Sequence, residues 1–390
     1  MTKDPGQLKA VGKFISALVL LALFLVALGP GAALGSAPER QTVVVPGRMI
    51  ELRAGDANAF TSVRPSADYD YSASSVETAN ITVNYTGFTP EAQAAFEHAV
   101  NIWEAQLTSP VEIIVNASWE PLEEGVLGSA GPASLIANWE GPNPAPRQDV
   151  FYPLALANKW AGEDLSPENP DIVARFSSVF PNWYFGTDAN TPADTYDFVS
   201  VVLHELGHGL GFVGSARIQD GQGMLGFTPQ GMDTPWPVIY DVFVETGEGQ
   251  ALWGFPNPSN ELAAELISDD LFIDSATTVA VLGGGNRPKI YAPNEFQQGT
   301  SYSHWDEDTF PPGNRDSLMT GFLDTAEGIH DPGPLTRGLF QDMGWSLETP
   351  LAVTVDSYSA TPATNPVGWL AGVTLVGSLG ALALWRRKRG

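Results

Sequence analysis

The chain has 390 residues, no cysteine and a formal net charge of −26. So acidic a surface repels nucleic acid and anionic lipid, and the absence of thiols excludes disulfides and thiolate metal centres. Any metal must be held by His, Asp or Glu, and only five histidines supply imidazole.

At the N-terminus Lys9 and Lys13 precede an apolar run from Phe14 to Leu28, and Ala33-Leu34-Gly35 offers a small-residue cleavage site. Residues 1–35 read as a secretory signal peptide and predict export. Residues 36–75 read as an N-terminal extension or prosegment, with a β-rich run at Gln41 to Leu52 and a Ser/Ala/Asp-rich stretch after it. If this segment covers a metal, Asp56 or Asp68 could supply the covering carboxylate.

The main domain is predicted to span 76–350. Ile81 to Tyr85 alternates like a strand, and Thr89-Pro90 supplies an N-cap and first helical residue. Ala92, Phe96, Val100, Trp103 and Leu107 continue at helical spacing, and Val111 to Val115 gives a second strand, making a β-α-β unit. His98 falls on the polar flank of this helix and reads as a surface histidine. Residues 120–170 read as loops, and Ile172 to Phe176 as another strand. A helix is expected between Thr191 and Gly211, capped by Asp194 or Asp197 and ended by Gly211. Residues 215–300 read as an irregular insertion with a strand at Thr277 to Leu282. Leu335, Leu339, Phe340 and Met343 mark a closing helix that stops at Gly344.

Beyond it, 351–366 reads as a linker. Val367 to Leu384 is apolar and is followed by Arg386-Arg387-Lys388-Arg389. Residues 367–390 thus read as a transmembrane anchor or sorting tail with the body outside the cell.

The chemistry concentrates in His204-Glu205-Leu206-Gly207-His208. On a helix, residues four apart share a face, so His204 and His208 can hold one zinc while Glu205 reaches water beside it as general base. A catalytic zinc needs a third protein ligand and an open position. The long metzincin pattern would place a histidine at position 214, where this chain has Gly214. His98, His304 and His330 remain as imidazoles, and Glu245 or Asp241 could serve if the third ligand is a carboxylate.

His304 stands in Ser303-His304-Trp305-Asp306, followed by Asp316-Ser317-Leu318-Met319. With Gly211-Phe212 closing the helix motif, these blocks resemble the leishmanolysin family of metzincins. That resemblance implies His304 as third ligand and Met319 as the methionine of a turn under the metal. It also implies an α+β, metzincin-like fold: a small twisted β-sheet with helices, an active-site helix carrying the motif, and an irregular C-terminal subdomain. The family's disulfides and cysteine-based latency cannot exist here.

The expected function is that of an exported, surface-anchored zinc metalloendopeptidase acting on protein or peptide substrates, with no nucleic-acid partner. The alternative is an adhesin-like surface protein with an inactive or structural metal site. Tyr302 could assist the oxyanion. The acidic insertion could bind calcium, although no Asp-x-Asp-x-Asp-Gly loop supports it.

Overall fold

A computed structural model of the protein describes residues 41–66 and 78–347. The predicted signal peptide, linker and C-terminal span lie outside the described residues, as does Asp68.

The chain enters through two strands, β1 (Val43–Pro46) and β2 (Ile50–Val63). β3 (Ile81–Thr86) leads into α1 (Pro90–Glu104), whose N-terminus is capped by Thr89 Oγ1, accepting from Ala92 N at 3.2 Å. Ala92, Ala95, Phe96, Ala99, Val100 and Trp103 form its buried face. The short β4 (Leu107–Thr108) precedes β5 (Ile113–Glu120), which runs parallel to β3 and completes the expected β-α-β unit. The stretch expected to be loops carries β6 (Val126–Pro132), β7 (Ser134–Ala137), β8 (Tyr152–Pro153) and α2 (Leu154–Ala161). After β9 (Ile172–Ser177), the short parallel strands β10 (Trp183–Tyr184) and β11 (Tyr196–Asp197) lead into α3 (Phe198–Leu210).

Beyond α3 the insertion is a set of small units. A hairpin joins β12 (Arg217–Gln219) to β13 (Gln222–Met224), and β14 (Val244–Thr246) pairs with β15 (Leu271–Ile273) around α4 (Asn260–Glu265). The predicted strand at Thr277 to Leu282 is instead α5 (Ala276–Leu282). Its β-branched composition favours a strand, but Asp342 accepts from Thr277 N at 2.7 Å and so fixes the first helical turn. β16 (Phe322–Ile329), α6 (Gly333–Met343) and β17 (Ser346–Leu347) complete the described chain.

Six strands form the main sheet in the order β16-β2-β6-β9-β5-β3. β3, β5 and β9 are parallel, β6 is antiparallel to both of its neighbours, and β2 runs parallel to β16. α1 and α3 pack together beneath the sheet around a core that includes Phe96, Trp103, Phe176 and Phe198.

The expected fold needs two corrections. The described residues form a mixed α/β architecture with six helices and several sheets, rather than a small sheet followed by an irregular C-terminal subdomain. The reason is that β2 and β16, from opposite ends of the sequence, both join the central sheet. The expected transmembrane helix is also not carried forward: among the described residues no helix is long and apolar enough to cross a membrane, and 367–390 lies outside them.

Candidate metal centre

Helix α3 is started by Asp197 and not by Asp194. The Asp197 carboxylate accepts from Ser200 N at 2.8 Å, whereas Asp194 is exposed and accepts from the Asn58 amide. The same buried Asp197 accepts from Ser200 Oγ, Thr191 Oγ1 and His330 Nε2, so the cap is fixed from three sides. Every residue of α3 is buried, and Gly211, with φ of 138°, ends the helix. Any other residue would be strained at that φ.

His204 and His208 project from successive turns of α3 and meet His304, which comes from the loop before β16. Their Nε2 atoms lie 2.8 Å (204 to 208), 3.1 Å (208 to 304) and 3.2 Å (204 to 304) apart. Each Nδ1 sits at hydrogen-bond distance from a backbone carbonyl: Leu318 for His204 at 2.5 Å, Phe212 for His208 at 2.6 Å and Thr300 for His304 at 2.6 Å. A carbonyl can only accept, so all three Nδ1 atoms carry the proton and all three Nε2 atoms present lone pairs to a common point. Three acceptors this close repel one another unless a cation lies between them. One ion at the usual imidazole distance of about 2.0–2.1 Å reaches all three. These three buried histidines are thus positioned to bind a metal ion.

Burial, followed by the neighbouring His304, holds His204 well below the usual imidazole pKa. Burial and the other two rings do the same for His208, and burial brings His304 down to about 4. Neutral imidazole is the metal-binding form.

Glu205 is fully buried beside them. Its Oε1 accepts from Leu52 N at 3.2 Å, and Oε2 has no hydrogen-bond partner among the described residues. Burial pushes its pKa well above the usual carboxylate value, with the Leu52 and Ala130 amides pulling it down. Gly128 of β6 lies so close that a Cβ there would sit 2.9 Å from the Glu205 side chain.

The loop carrying His304 is locked to the methionine segment. Trp305 N donates to Met319 O at 2.8 Å, and Tyr291 N donates to His304 O at 2.9 Å. Met319 ends a short 3-10 turn, Ser317–Met319, and packs against Gly207, where a Cβ would lie 2.8 Å from its Sδ. Leu318, one residue earlier, supplies the carbonyl for His204. The resemblance implied Met319 as the methionine of a turn under the metal and gave no sign of this backbone contribution, which no side-chain pattern reveals.

The other candidates lie elsewhere. Glu245 pairs with Arg287 at 3.1 Å on β14. Asp241 is buried, accepting from Ser215, Val238 N and Tyr302 Oη. That contact engages the Tyr302 hydroxyl with Asp241. Gly214 donates its N–H to Ser303 Oγ at 3.0 Å, and a Cβ there would lie 2.2 Å from the Tyr302 ring, which leaves no room for the histidine of the longer motif. Asp56 is exposed on β2. His98 is half-buried against His330, their ring centroids 5.6 Å apart, rather than a surface residue. Among the described residues, the acidic side chains of 215–300 form no cluster of three or more close enough to share a metal ion.

One family's model, described as SPBPB7E8-like, matches residues 147–230, a stretch that contains α3 and two of the three imidazoles. That is less than half of the chain, and its description names no activity. No curated protein matches the chain, so no relative names a protease.

Proposed function

We propose that the protein is a zinc-dependent endopeptidase with His204, His208 and His304 as metal ligands and Glu205 as general base. The reading is carried by one observation: three Nε2 lone pairs converge while every Nδ1 faces a carbonyl, with a carboxylate on the residue next to one ligand. An all-nitrogen donor set without thiolates suits zinc, and three protein ligands leave a fourth position free, as catalytic zinc requires.

Zinc, when bound, supplies Lewis acidity, which acidifies water and polarises a peptide carbonyl. Glu205 then takes the proton from the attacking water and returns it to the leaving amine as the C–N bond breaks. The three carbonyls keep the imidazole rings from turning.

A site serving structure alone has no use for a carboxylate between its two helix ligands, which argues against the adhesin-like alternative. The test is to load the chain and its Glu205→Gln variant with zinc and incubate both with casein. Equal zinc in both, with cleavage by the unaltered chain only, supports the reading. Equal cleavage by the two would overturn it.

A further inference from the structure

The three imidazoles and Glu205 are each no more than 1 % exposed, so no substrate reaches them in this structure. What covers Glu205 is the chain's own N-terminal segment. β1 pairs antiparallel with β7, from Val43 opposite Ala137 to Pro46 opposite Ser134. β2 continues the path along β6, from Ile50 opposite Ala130 to Arg53 opposite Val126. Residues 43–53 therefore lie as one extended peptide along 126–137, the edge that flanks α3.

The main chain of this peptide is held on both sides. Glu51 N donates to Gly299 O at 3.0 Å and Arg53 N to Gly321 O at 3.2 Å, the loop that carries His304 and Met319. Between them, Leu52 N points the other way and donates to the general base itself. Arg48 reaches beyond α3, its guanidinium donating to Ala216 O at 2.8 Å. The backbones are in tight contact: a Cβ on Gly47 would lie 1.6 Å from Pro132 O, and one on Gly131 would lie 1.8 Å from Arg48 O. Removing residues 43–53 would expose an unpaired strand edge next to Glu205, the kind of slot that captures an extended peptide by strand addition.

We propose that residues 43–53 are an inhibitory strand: the chain's own peptide fills the slot an extended substrate would use, ties down Glu205, and keeps the site closed until it leaves. This rests on the peptidase reading above. It also replaces the expected covering carboxylate, Asp56 or Asp68, with main chain. Because the contacts are backbone hydrogen bonds, latency of this kind needs no cysteine. Release takes displacement of a strand rather than breakage of a metal–ligand bond.

The test uses the full chain loaded with zinc and two variants outside the catalytic residues. Gly47→Val forces the segment away from Pro132, and Arg48→Ala removes the hold on Ala216 without adding bulk, which covers the case of Gly47→Val failing to fold. Three quantities are read: hydrogen exchange at Glu51, Leu52 and Arg53, the rate at which a chelator withdraws zinc, and casein cleavage. The expected result is a rise of about tenfold or more in all three, with thermal melting showing the rest of the fold intact. Faster exchange with unchanged zinc withdrawal and unchanged cleavage would overturn the proposal. So would full cleavage by the unaltered chain while its 51–53 amides stay protected; in that case the peptidase reading would survive. Faster exchange and zinc withdrawal with no cleavage by any variant would uphold the closure and sink the peptidase reading instead.

Discussion

The carbonyl of Leu318 lies 2.5 Å from Nδ1 of His204, so the residue beside Met319 sets the tautomer of a metal-site imidazole. Met319 is fully buried against Gly207 and holds that carbonyl in place. Met319→Ala should leave a cavity under α3, lower stability by about 2–4 kcal/mol and weaken metal binding about 10- to 100-fold. Met319→Leu, which nearly conserves volume, should do far less. Denaturant melts and competitive metal titrations of the two variants check this.

His304→Ala should abolish tight metal binding, whereas Glu245→Ala should leave it unchanged, because Glu245 is engaged with Arg287. Metal content per chain after dialysis, measured by atomic emission, separates the two. Retention of metal by His304→Ala would mean that the third ligand lies elsewhere.

Asp197 accepts four hydrogen bonds while fully buried, from Ser200 N, Ser200 Oγ, Thr191 Oγ1 and His330 Nε2. Asp197→Ala removes the cap of α3 and strands those donors, and should cost about 2–4 kcal/mol. Asp197→Asn keeps one acceptor oxygen and should cost less. Urea midpoints of the two variants give the comparison.

Glu327 on β16 is buried, and this burial, with Glu307 and Asp324 nearby, pushes its pKa up to about 8. The folded chain therefore keeps a proton there that the unfolded chain releases at about 4.5, and stability is lost as pH rises from that value through about 8. Glu327→Gln removes this loss. It should stabilise the protein at pH 8 by about 2–4 kcal/mol and change it little near pH 4.5. Urea melts at the two pH values read the difference.

The parts of the site that were legible in the sequence are those with local signatures. The Thr89 cap, the spacing of α1 and the five residues from His204 to His208 each act within a turn or two of helix. The third imidazole was narrowed to a few candidates, and only the resemblance chose His304. Strand β6 went unread because Gly128, Ser129, Ala130 and Gly131 lack β-branched bulk; these small residues serve the close approach of Glu205 and Arg48. The extension at 36–75 was read as separable because its partner in the sheet, 322–329, is remote in sequence. Similarly, α5 owes its helix to Asp342, some 65 residues away.

The pairing of β2 with β16 joins residues near 60 to residues near 325. Closing so long a loop is entropically costly and makes folding slow. The segment 43–53 and its partner 126–137 both precede His304 in the chain. The inhibitory strand thus finds its partner within the first 137 residues, whereas the third imidazole is supplied by the final third of the chain, an order in sequence that lets the slot fill before the metal site is complete.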